Sequence, residues 1–171
     1  SKDAIYVTNG ATLKVTGTGT VIATTSAYAA VFNNGTTTLE GGKYTRTGTG
    51  TWYTLVNHGT MTIESGVTVE NMNTSDTSSL VENGYYSYTG SNERTNYVAG
   101  TNSAAPELII NGGAFDTAGL NAVKNDEGGV LEINDGNFSS QRADGAVIMN
   151  WNNATINGGT FTATEQNKAV V

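Results

Sequence analysis

An apolar residue two positions before an asparagine recurs along this chain at a nearly fixed interval, and that recurrence constrains the fold more than any other feature. It reads Val7-Thr8-Asn9, Val31-Phe32-Asn33, Leu55-Val56-Asn57, Val81-Glu82-Asn83, Val123-Lys124-Asn125 and Ile148-Met149-Asn150, with Asn-to-Asn steps of 24, 24, 26, 42 and 25. A second unit follows each Asn: an aliphatic residue, a polar one, a Gly-containing pair, one more residue and usually an aromatic. Its clear copies are Leu39-Glu40-Gly41-Gly42-Lys43-Tyr44, Ile110-Asn111-Gly112-Gly113-Ala114-Phe115, Ile133-Asn134-Asp135-Gly136-Asn137-Phe138 and Ile156-Asn157-Gly158-Gly159-Thr160-Phe161. Ile63 to Thr68 is a degenerate copy and Leu13 to Thr18 a poorer one.

A sustained period of this length means a repeat architecture, in which each unit buries its apolar side only by stacking on its neighbours. Within a unit, residues two apart face the same side of a strand. Val31 and Asn33 therefore share a face, as do Thr37 and Leu39, while Thr38 and Glu40 face outward. The expected fold is all-β: a parallel β-helix (β-solenoid) of about six rungs of roughly 24 residues. Gly pairs permit the corners. An inward Asn at a corner can bond the next rung amide over amide, so Asn9, Asn33, Asn57, Asn83, Asn125 and Asn150 are read as a structural ladder. The interval of 47 from Ile63 to Ile110 fits one rung carrying an insertion of about 20 residues, with Gly84 to Ala105 outside the repeat.

Composition agrees and narrows the partners. Charged residues make up 13%, with 22 Gly, one Pro and no Cys. Thr suits strands, and Gly and Asn suit tight corners. The net charge is −7 and the eight Lys and Arg are scattered singly, so no basic stripe exists to meet nucleic acid. The same balance argues against anionic membranes, and no apolar run approaches the ~18 residues that read as a transmembrane helix. Lack of Cys excludes disulfides, thiolate metal sites and Cys nucleophiles.

Together, the Ile-Asn-Gly-Gly-Thr-Phe and Leu-Glu-Gly-Gly-Lys-Tyr phrases and the Val-x-Asn ladder resemble the repeats of adhesin-like surface proteins of Gram-positive gut bacteria. Those proteins have a pectate-lyase-like right-handed parallel β-helix. The resemblance covers nearly the whole chain outside residues 84 to 105. It implies a secreted or cell-surface bacterial protein and a right-handed coil, the usual hand of parallel crossovers. Its motifs are structural, so they specify a fold and leave function to other residues. The chain opens abruptly at Ser1-Lys2-Asp3, and Lys168 to Val171 match the start of another rung. The expectation is a single domain over 1–171, cut from a longer solenoid or meeting a second copy end to end.

Function is sought where the repeat is broken. The insertion holds Tyr85, Tyr86, Tyr88 and Tyr97, half of the chain's eight Tyr. The same corner in other rungs carries His58, Asp126, Glu127 and Trp151, each at or just after its ladder Asn. Aromatic faces beside carboxylates and amides suit a sugar, so these eight residues form the candidate ligand site, with polysaccharide or host glycan as partner. A competing reading has the tyrosines pinning a long loop to the flank of a pure spacer. A third is a polysaccharide lyase or glycoside hydrolase. The residues for that reading are poor: Asp116, Asp126, Asp135 and Asp144 fall at different phases, as do Arg46, Arg94 and Arg142. His58 reads as a solvent-exposed turn residue. No residue set points to a cofactor or metal. The Thr-Gly-Thr runs at 16–20 and 47–51 do not extend into the regular outward Thr grid that ice binding needs, since that face is charged and mixed.

Overall fold

Each repeat unit alternates apolar and polar residues, and such a strand buries one side only. A computed structural model describes residues 3–25, 27–48, 50–84, 105–126 and 128–164, and in it these units stack as six rungs of a parallel β-solenoid. Five of the apolar-x-Asn units, with Ile5–Val7 before them, form one sheet of short strands: β1 (Ile5–Val7), β4 (Val31–Asn33), β6 (Leu55–Asn57), β8 (Val81–Asn83), β11 (Val123–Asn125) and β14 (Ile148–Asn150), stacked in that order. The remainder builds a ten-stranded sheet. Its long members, β5 (Thr36–Arg46) and β7 (Thr60–Asn71), run through both halves of the second unit. In the other rungs the Gly corner divides them: β2 (Thr12–Val15) and β3 (Thr20–Ala23), β9 (Glu107–Ile110) and β10 (Ala114–Thr117), β12 (Val130–Ile133) and β13 (Asn137–Ser140), β15 (Asn153–Ile156) and β16 (Thr160–Ala163). All strand pairs are parallel.

At the Gly corner the backbone itself demands glycine. Gly113 has φ 104°, and a Cβ there would lie 2.8 Å from the Val67 carbonyl oxygen of the rung beneath. Stacking then fills the interior with like residues. Leu39, Ile63, Ile110 and Ile133 form one fully buried column, each stabilising by about 1.5–3 kcal/mol. Phe115, Phe138 and the partly buried Phe161 form a stacked column, with ring centroids 4.7 and 5.0 Å apart and planes within 9°.

Ile63 pairs directly with Ile110, and Met61 with Leu108, so the interval of 47 is one rung and its insertion. Both ends of the insertion are tied to the preceding rung: Gly84 N–H donates to Asn57 O at 3.1 Å, and Glu107 N–H to Gly59 O at 2.8 Å.

The first rung departs from the expected register. Ile5, Tyr6 and Val7 pair with Val31, Phe32 and Asn33, and Val15 rather than Leu13 pairs with Leu39. Val7 therefore occupies the ladder position, while Asn9 is an exposed corner residue. A slip of two residues keeps every side chain on its face, so alternation alone cannot detect it.

Candidate functional site

Corrected for Asn9, the ladder is continuous. Asn33, Asn57, Asn83 and Asn125 each donate from Nδ2 to Oδ1 of the next Asn, at 2.8, 2.7, 2.8 and 2.8 Å, ending on Asn150. The same amides also serve backbone at the corner: Asn57, for example, accepts from Gly59 N–H and donates to Glu107 O. Asn33, Asn57, Asn83 and Asn125 are fully buried, and Asn150, at the last rung, is exposed.

On the outer side of the short sheet, the residue between the apolar one and the Asn makes a column of its own: Tyr6, Phe32, Val56, Glu82, Lys124 and Met149. Except at Gly84, the residue following a ladder Asn leans back onto that column one rung earlier. Asn34 Nδ2 donates to the Tyr6 hydroxyl at 3.3 Å. His58 meets Phe32 edge to face, centroids 5.0 Å apart. Asp126 acts on Glu82, and Trp151 lies by Lys124, whose Nζ is 4.5 Å from the ring centroid. This shared direction sets the candidate residues in a file along one flank: His58 in the third rung, Asp126 in the fifth and Trp151 in the sixth. Tyr85, Tyr86, Tyr88, Tyr97 and Glu127 lie outside the described residues.

His58 is fully buried, not a solvent-exposed turn residue. The reason is the apolar character of its surroundings. Ala29, Phe32 and Val56 cluster with Tyr6, Trp52 and Tyr53, so the segment leading into β6 covers this part of the sheet. Farther along, the flank turns ionic. Lys124 Nζ is paired with Asp126 Oδ2 at 2.5 Å, with side chains only 15% and 1% exposed. Glu82 beside them is fully buried, and burial above all pushes its carboxyl well above the usual range. Lys124 opposes that shift; Asp126, by its charge and position, adds to it. Asp126 and Tyr53 stand close enough to act on Glu82, although its oxygens make no bond of good hydrogen-bond geometry. Two neighbouring carboxyls, one with its pKa raised by burial, are the raw material of an acid–base pair. Here both are closed to solvent. Of the described candidates only Trp151, 63% exposed, offers its side chain to a ligand.

Two further groupings are not visible in the repeat phases. Arg46 and Arg142, expected not to converge, both reach Asp76. Arg46 Nη1 pairs with Asp76 Oδ2 at 2.8 Å with both side chains fully buried, and Arg142 Nη1 donates to the Asp76 carbonyl oxygen at 3.0 Å. Arg46 also binds the carbonyl oxygens of Tyr28, Gly50 and Trp52, joining three successive corner loops. Burial lowers its pKa and Asp76 counters this. The signal for this pair in the sequence is a lone Arg at an inward strand position, where Ala23, Thr117 and Ser140 stand in other rungs. The second grouping is an outer amide ladder: Asn157 donates to Asn134 at 2.7 Å, Asn134 to Asn111 at 2.9 Å, and Asn111 to Glu64 at 3.0 Å. Its signal is the Asn that follows Ile110, Ile133 and Ile156 in the second unit.

Among the described residues no group of three or more His, Asp or Glu is placed to hold a metal ion. Comparison with protein-family models, with curated proteins and with solved structures found no match to this chain. Its assignment rests on its own geometry, which is that of an all-β parallel solenoid with a buried Asn ladder.

Proposed function

We propose that this chain is a non-catalytic, adhesin-like module of a secreted or cell-surface bacterial protein, and that it binds glycan on the flank of the short sheet. One observation carries the reading. Trp151 is a large exposed aromatic at the corner from which the 84–105 insertion departs two rungs earlier. A flat apolar ring flanked by polar groups is what a pyranose needs, one face for its C–H groups and neighbours for its hydroxyls. Insertions at one corner of a solenoid gather on a single face, and that face is often the binding face.

The burial of His58 and Asp126 favours a second reading, in which the corner is structural and the module is a spacer. A glycan array probed with the chain and with Trp151→Ala separates the two. Binding lost in the variant supports the first reading, and an empty array supports the spacer. Incubation with a panel of uronate and neutral polysaccharides, with and without Ca²⁺, tests for catalysis. Released product would overturn the non-catalytic assignment.

A further inference from the structure

We propose that the sugar held against Trp151 is a neutral one, bound by ring stacking and amide hydrogen bonds rather than by ion pairing. This deepens the glycan-binding reading and rests on it. Among the described residues the cation against the ring is Lys124, and it is already committed: its Nζ lies 2.5 Å from Asp126 Oδ2 and 4.5 Å from the Trp151 ring centroid. Its side chain is 15% exposed, and that of Asp126 is 1% exposed. Neither charge is presented to a ligand, and the two cancel. Glu82, behind them, is fully buried and presents no charge to a ligand either. The exposed residues that flank the ring in sequence are amides, Asn150, Asn152 and Asn153. Asn150 is engaged with the Asn152 backbone, leaving Asn152 and Asn153 to meet hydroxyls. The chain as a whole carries −7, which repels a polyanion at low ionic strength.

The test is a titration followed by tryptophan fluorescence at low salt, with fragments of β-glucan, mannan and galactan against fragments of polygalacturonate and alginate. At least one neutral fragment is expected to bind about tenfold or more tighter than either uronate. Asp126→Asn releases Lys124 and should narrow that gap, while Lys124→Met should leave neutral binding in place. Circular dichroism checks that both variants are folded. Uronate binding equal to or tighter than neutral binding would overturn the neutral-sugar inference and leave the glycan reading intact. If no fragment binds and the array is also empty, the glycan reading itself fails and takes this inference with it.

Discussion

The Thr37 hydroxyl donates a 2.8 Å hydrogen bond to Asn33 Oδ1, the oxygen that in every later rung of the ladder receives the amide of the Asn before it. Val7 holds the preceding position and has no amide to give. Thr37 thus caps the ladder where the first rung leaves it open, and its counterparts in later rungs, Met61, Leu108 and Leu131, have no such duty.

The cap is testable by a double-mutant cycle. Thr37→Val should cost about 1 kcal/mol, because Asn33 Oδ1 keeps only the Gly35 N–H as donor. In a Val7→Asn background a new amide can reach that oxygen, and the same substitution should then cost less. A coupling of about 0.5 kcal/mol or more is expected from urea unfolding. Strict additivity would show that Thr37 does not act as the cap.

The corrected register makes two asparagines unequal. Asn57 links Asn33 to Asn83 and binds the backbone of two rungs from full burial, so Asn57→Leu should cost on the order of 3 kcal/mol. Asn9→Leu changes an exposed corner and should stay within about 0.5 kcal/mol. Equal shifts in the urea midpoint for the two variants would contradict the register of the first rung.

Arg46 and Asp76 are a buried ion pair that ties corner loops together, and removing one partner strands a charge. Asp76→Ala should therefore destabilise by about 3–5 kcal/mol. Arg142→Ala removes a bond to the Asp76 carbonyl from a partly exposed side chain and should cost under about 1 kcal/mol. Thermal unfolding of the two variants gives the comparison, and a large loss for Arg142 would mean that it shares the structural load.

Period, insertion and ladder are legible because each is written as a column: a residue type at a fixed phase survives stacking unchanged. Asn9 misleads because Val7-Thr8-Asn9 mimics the unit two residues out of phase, and only strand pairing exposes the slip. His58 looks exposed in the sequence because its partner, Phe32, lies one rung back and one residue out of its own column. That diagonal also explains Asp126 against Glu82 and Trp151 against Lys124. The Arg46–Asp76 pair is hidden for another reason. Asp76 sits in a corner loop, where repeat phase says nothing about position.

The Glu82 carboxyl supplies the last prediction. Burial, reinforced by Asp126 and opposed by Lys124 and Tyr53, raises its pKa well above the usual 4.5. As pH rises through 4.5, the unfolded chain releases this proton while the folded one keeps it. The folded state then binds more protons, so stability falls with rising pH until the folded carboxyl itself ionises. The contribution is intact below the unfolded value and is lost as pH climbs through the folded one. Glu82→Gln keeps the shape of the neutral acid and has no proton to lose. Relative to the wild-type protein it should gain stability from about pH 4.5 upward, with a slope of at most ~1.4 kcal/mol per pH unit, the limit for one proton. Urea unfolding of both proteins from acid to neutral pH measures the difference, in which the other carboxylates largely cancel. A difference that stays flat across that range would mean that Glu82 titrates as an ordinary exposed acid, and that the ionic part of the flank is open to water.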